Sequence, residues 1–292
     1  MLSSRWPKLA PYVFISPFFI VFLVFGAFPI VFSGAVSLID WRGVTMGQFV
    51  GLQNYINLFR DKDFLQAVLN TVYLLVLSAP LTIGGGLILA VLLNSQLLRF
   101  RGLFRTIFYL PMAVSLVVAG LAFAMVLNKP FGLVNDVIVK QVLNLEPVDF
   151  LTNPSLAIPT LSLLIIWRYI GNDLVIMLAG LQSISPDLYE ASRIDGASPV
   201  QTFIYITLPQ MAPIILFDAI LSTVNTFNMF AEPYILFGTE GGVNQSALTT
   251  GLLVFRVSFK FFKLGYGAAM ACLIGVVIFA LSLLQLRLGQ RD

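Results

Sequence analysis

Six long apolar runs, separated by short polar stretches rich in glycine, proline and charge, divide the chain. They cover residues of about 13–38, 67–93, 107–127, 157–181, 214–237 and 266–286. Each reaches the roughly 20 residues that a helix needs to cross a bilayer's hydrocarbon. The pattern predicts an all-α, polytopic membrane protein with six transmembrane helices, read as one membrane domain over residues 1–292. The first run is too long for the apolar region of a cleaved signal peptide, so it reads as an uncleaved span. Its Pro17, Gly26 and Pro29 are tolerable in lipid, where neighbouring helices satisfy freed backbone groups. In the second run, Gly84, Gly85 and Gly86 should let another helix approach closely.

Composition agrees and excludes several chemistries. Only 11% of the 292 residues are charged and mean hydropathy is +0.92. A soluble domain carries about 25% charged residues, so lipid is the main solvent here. The chain has no histidine and a single cysteine, Cys272, which removes disulfide frameworks, Cys/His zinc sites and histidine-based triads. No GxxxxGK[ST] motif occurs, so the chain carries no P-loop ATPase, and the glycine triplet lies in an apolar run rather than at a phosphate. The excess of three positive charges points to a membrane surface. No basic cluster with interleaved aromatics suggests nucleic acid. Trp6, Trp41 and Tyr55 read as interfacial anchors.

Six spans put both termini on one side. That side holds Arg5, Lys8, Arg99, Arg101, Arg105, Arg193, Arg287 and Arg291. The other holds Arg42, Arg60, Lys62, Lys129, Lys140, Arg256, Lys260 and Lys263. The tally is even, so the flank of the first span and the acid-free turn at Arg99–Arg105 carry the decision, because the positive-inside rule acts through short loops. Termini are then expected in the cytoplasm.

Polar groups inside spans are costly and usually face a bundle interior or a wet cavity. In the fourth run, Trp167, Arg168, Asn172 and Asp173 interrupt the apolar pattern. In the fifth, Asp218, Ser222, Asn225, Asn228 and Glu232 recur every three or four residues, a single stripe on a helix, interleaved with Phe230 and Tyr234. Aromatic faces beside amides and carboxylates suit a sugar, with its apolar C–H faces and many hydroxyls. The same stripe also fits amino acids, polyols, ions or hydrogen bonding between packed subunits.

Between the fourth and fifth runs lies a polar, turn-punctuated segment, residues 185–213. Ser185 can cap a helix that begins at Pro186 and runs to about Asp195, and Gly196 offers a left-handed exit. Ser198 and Pro199 repeat the signal for a second short helix, limited by Pro209 and Pro213. Two short helices across a tight turn make a rigid knob suited to docking, and turn chemistry alone fits an ordinary interhelical loop equally well.

These residues carry a resemblance. Glu190-Ala191-Ser192, Asp195-Gly196-Ala197, Phe203, Ile206, Leu208-Pro209 and Pro213 resemble the EAA loop of permease subunits in binding-protein-dependent ABC importers, with Ser192 for the second alanine. The aspartate before the glycine resembles the carbohydrate-uptake branch, which includes maltose and glycerol-phosphate permeases. GLQNYINLF at residues 51–59, Asn70-Thr71, FYLPMAVS at 108–115, Gly132 to Asn135, the fourth run and GTEGGVNQSALT (with Val243 where proline is common) are similar to that branch too. The resemblance implies a type I importer permease fold in a prokaryotic inner membrane. It implies a coupling helix of Leu188, Tyr189, Glu190, Ala191, Arg193, Ile194 and Asp195, turned at Gly196, that docks a cytoplasmic ATPase dimer. ATP and Mg would be bound there, with no cofactor on this chain. It further implies an extracytoplasmic sugar-binding protein, a carbohydrate substrate and a different second permease, since the sequence ends soon after the sixth run, as in the first-named permease of such pairs. An ion-coupled secondary transporter, with Asp173, Asp218 and Glu232 as ion ligands, is the alternative; no convincing repeat supports it.

Overall fold

The computed structural model describes residues 6–45, 47–95 and 98–289, with side chains from residue 11 onward. Arg5 and Arg291 of the charge tally lie outside the described residues, as do the side chains of Trp6 and Lys8. Among the described residues there are helices and isolated bridges but no strand. Five helices are long and apolar enough to cross a membrane, and a pair bent by 92° makes a sixth when counted as one span.

In chain order, α1 (Trp6–Phe22) and α2 (Phe28–Val36) are joined by a π turn at Leu23–Ala27 into the first span. Then come α3 (Gln53–Leu58), α4 (Lys62–Asn94), α5 (Arg101–Ala113) and α6 (Leu116–Val126). A π-helical segment at Val134–Val142 leads to α7 (Pro154–Ser183). There follow α8 (Pro186–Ile194), α9 (Pro199–Thr202), a second π turn at Phe203–Thr207 and α10 (Leu208–Asn228). The chain continues through α11 (Ala231–Phe237), α12 (Thr250–Phe255), a π turn at Arg256–Lys260 and α13 (Leu264–Gly289).

Two compact units emerge, Met1–Asp61 with Val254–Gly275 and Lys62–Leu253 with Val276–Asp292. In the first, the opening span buries none of its apolar window, as expected of a helix sheathed in lipid. Polar contacts hold the segment that follows. Asn54 donates to Ser37 O (2.8 Å) and Ile39 O (3.2 Å), the Tyr55 hydroxyl meets Ser37 Oγ at 2.8 Å, and Tyr266 donates to Asp61 at 2.7 Å.

In the second unit, α4 packs along α7, α5 against α7, α10 against both α4 and α7, and α11 against α6. The glycine triplet sits at the α4–α7 crossing. A Cβ on Gly86 would stand 2.9 Å from the Asp173 backbone carbon, and one on Gly85 would stand 2.7 Å from Ile170. A side chain at Gly86 would therefore force the helices apart, whereas one at Gly85 would displace only the tip of Ile170. Beside the crossing, Leu87, Ala90, Leu174, Met177, Leu181 and Met211 form a buried cluster.

The structure departs from the sequence expectations in four places. The third span, expected as one helix over 107–127, is α5 and α6 meeting at 92°. The fifth, expected over 214–237, stops at Asn228 and resumes as α11 after Met229 and Phe230. The second short helix of the knob does not end at Pro209 but runs through the Phe203–Thr207 π turn into α10. A proline ring clashes with the carbonyl four residues back, and here that residue, Tyr205, lies in the widened turn, which relieves the clash. Pro29 stands in the same relation to the Leu23–Ala27 turn. Finally, the loop after residue 129 contains the Val134–Val142 helix, folded over buried Asn135, whose amide bonds Asn128 O, Val148 O and Val148 N.

Candidate functional site

Two features of the second unit stand out, a polar cavity and an exposed knob. The cavity has a volume of about 530 Å³, within the range of small-molecule sites. It lies where both broken spans break. Met112 and Leu116 flank the bend of the third, and Asn228, Met229 and Phe230 form the break of the fifth. Non-helical backbone at membrane depth is tolerated where it lines such a cavity or is buried in protein.

Each break leaves carbonyls without helical partners, and side chains from other elements take them up. At the end of α5, the Arg168 guanidinium donates to Val114 O at 2.8 Å and reaches Pro111 O and Met112 O at 3.4 Å. A cation at a helix C-terminus also meets the negative end of the dipole. At the end of α10, Thr250 donates to Phe227 O and Thr249 to Met229 O, both at 2.6 Å. Gly251 lies so close that a Cβ there would stand 2.6 Å from the carbonyl oxygens of Asn228 and Met229. The glycine-rich loop carrying these threonines is in turn tied to α4. Asn70 donates to Gln245 O and Leu248 O, and Thr71 accepts from the Thr250 amide.

Of the pore residues expected from the sequence, the cavity is lined by Asn172, Asp173, Asp218, Ser222, Asn225, Asn228, Phe230 and Glu232. Trp167, Arg168 and Tyr234 do not line it. Trp167 packs on Phe123 with ring centroids 5.2 Å apart, Arg168 holds the bend, and Tyr234 lies half exposed on α11. The stripe is thus split between two helices, and the break rather than helical periodicity brings Glu232 to the others. Tyr169 also lines the cavity, and its hydroxyl donates to Glu232 Oε1 at 2.8 Å. Sequence reading missed it, since a tyrosine at a span's midpoint resembles ordinary packing. Ser78 and Thr82 on α4 were missed as well. They recur four residues apart, and their hydroxyls bond back to Leu74 O and Ala79 O in a way common to any helix. Asp218 is 2% exposed, with Oδ2 buried and unpartnered among the described residues.

The knob is α8, α9 and the turn between them. Ser185 caps α8, accepting from the Asp187 amide at 3.3 Å, and Gly196 leaves it at φ +76°. Ser198 and Gln201 form a reciprocal capping box at the start of α9, with bonds of 2.8 and 3.3 Å. Buried Ser192 donates to Tyr189 O and lies 3.4 Å from the Thr202 hydroxyl, while Tyr189 meets Thr207 at 3.2 Å. These hydroxyl contacts fasten the two helices to each other. Leu188, Glu190, Ala191, Arg193, Ile194, Asp195 and Gly196 remain exposed, with Ile194 at 86%. The knob thus holds Leu188 and Ile194 outward on a rigid, polar frame. The knob joins α7 directly to α10, the helices that carry Asp173 and Asp218.

Residues 82–291 match the family described as the binding-protein-dependent transport system inner membrane component. The lactose transport system permease protein LacF of Rhizobium radiobacter is 35% identical over 97% of this chain and 94% of its own. The arabinooligosaccharides transport system permease protein AraP of Bacillus subtilis is 33% identical over 97% of this chain and 89% of its own. In shape, the chain matches one from the crystal structure of a bacterial alginate ABC transporter in complex with an alginate pentasaccharide-bound periplasmic protein. The TM-score is 0.83, with 24% identity over 99% of this chain and 98% of that one. The chain therefore belongs to the family of inner-membrane components of binding-protein-dependent transport systems, the multi-pass permease subunits of ABC importers, whose ATPase is a separate subunit.

Proposed function

We propose that this permease forms one half of the translocation pore of an ATP-driven sugar importer and couples to its ATPase through the α8–α9 knob. The observation that carries the reading is the cavity, in which carboxylates, amides and the ring of Phe230 converge where two spans are broken. Hydroxyl-rich ligands need such acceptors and donors, and their C–H faces suit aromatic rings. The lactose and arabinooligosaccharide relatives support a carbohydrate cargo.

In this reading the termini and the knob face the cytoplasm. Leu188, Tyr189, Glu190, Ala191, Arg193, Ile194, Asp195 and Gly196 form the surface that enters a groove of a partner ATPase, which holds ATP and Mg, while this chain binds no cofactor. A different second permease completes the pore, and an extracytoplasmic binding protein delivers the sugar. Closure of an ATPase dimer needs a rigid lever to move the helices around the cavity. The hydroxyl contacts of Ser192 and Tyr189 stiffen that lever, and its two ends continue into α7 and α10. Trp167, Arg168 and Tyr234 act outside the cavity wall, with Arg168 fixing the bend of the third span.

The test is reconstitution of the full complex in liposomes with a panel of mono-, di- and oligosaccharides. At least one sugar should stimulate ATP hydrolysis in the presence of the binding protein and accumulate inside. Concentrative uptake by this chain alone, without ATP, would overturn the reading.

A further inference from the structure

The charge of the cavity narrows the class of sugar, an inference that rests on the importer reading. Asp173, Asp218 and Glu232 line the cavity, and no lysine or arginine is among its described lining residues. The one base of the fourth span, Arg168, is turned onto the carbonyls at the end of α5. Glu232 already takes the Tyr169 hydroxyl on one oxygen. Asp218 differs, since it is 2% exposed and its Oδ2 is buried with no hydrogen-bond partner among the described residues. A buried acceptor left unpaired is unfavourable, and a ligand that brings a donor relieves it.

We propose that this half of the pore accepts uncharged and amine-bearing sugars and turns away sugars that carry a carboxylate, with Asp218 reading the difference. A hydroxyl supplies the missing donor. An ammonium supplies a donor and an opposite charge. A carboxylate supplies neither and meets like charge, with Asp218 itself buried away from bulk water. The likeness to the alginate transporter is one of fold and does not bear on this preference.

The test uses the complete transporter, with its second permease and ATPase, in lipid nanodiscs without the binding protein, so that delivery does not select. Glucose, glucosamine and glucuronate have rings of one size and differ in charge, and ligand-observed NMR titration gives their relative affinities. Glucosamine should bind at least as well as glucose, and glucuronate about tenfold more weakly, a difference that Asp218→Asn should shrink severalfold. Asp218→Ser, which removes the same carboxylate, serves as a second variant should Asp218→Asn fail to assemble. Glucuronate binding as well as glucose, or an unchanged ratio in an assembled variant, would overturn the proposal. Failure of all three sugars to bind would also overturn it if ATP-driven uptake of some panel sugar persists, and the importer reading would then stand. Loss of ATP-driven uptake for every sugar would instead remove the reading beneath it.

Discussion

Arg168 shows how a charged residue in a membrane helix can be structural. Its guanidinium spans three carbonyls at the bend of the third span, a task that suits a planar fork of donors and not a single ammonium. Arg168→Gln should lower the stability of the assembled transporter by about 1–3 kcal/mol, and Arg168→Lys should recover only part of it, both read from thermal melting. Unchanged melting in both variants would show that water replaces the side chain. Within the cavity, Asn225→Ala and Tyr169→Phe should reduce sugar uptake while the ATPase still co-purifies, because neither position lies on the knob. Loss of assembly would point to packing instead. The sequence exposed the polarity of Arg168 but not its direction. A base among apolar residues looks the same whether it faces a cavity or a bent helix end, and the bend lies in extended backbone at Val114 and Ser115, within a run that reads as one continuous span.

At the scale of elements, span number and position were legible because hydrophobic length registers bilayer thickness directly. The breaks were not, since an apolar run reads the same whether or not one residue within it leaves helical geometry. The polar stripe of the fifth run reached the right grouping by a partly wrong route. Periodicity unites Asp218, Ser222 and Asn225 on α10, whereas Glu232 joins them from α11. The knob was the most legible element, because caps, prolines and a left-handed glycine are local signals. The cap on the fifth-span break is the corresponding vulnerability. Gly251→Ala would press a methyl group against the Asn228 and Met229 carbonyl oxygens, and Thr250→Val would strand the Phe227 carbonyl. Both should cut uptake severalfold and lower the melting temperature. Gly84→Ala, whose Cβ meets nothing within 4 Å, serves as the silent control.

At the scale of the whole molecule, the proposed function puts drive and cargo on different parts of one unit, linked by α7 and α10. Glu190→Lys should weaken co-purification of the ATPase and lower sugar-stimulated ATP hydrolysis, yet leave sugar binding within about twofold of wild type, since charge reversal on an exposed helix acts locally. Equal losses in binding and hydrolysis would mean that the knob and the cavity are not separable.

The two capped breaks also bear on how the chain enters its bilayer. Ribosomes deliver the third span before the fourth, so the bend meets the membrane before Arg168 does. For that interval its carbonyls need water or another host, and Arg168 in turn is a poor passenger in lipid without them. The two spans should therefore partition into the bilayer as a pair. A chain truncated after residue 127 should insert its last span inefficiently in a glycosylation-mapping assay, and extension through residue 184 should restore it. Arg168→Leu in the longer chain would ease entry of the fourth span while leaving the third without its partner.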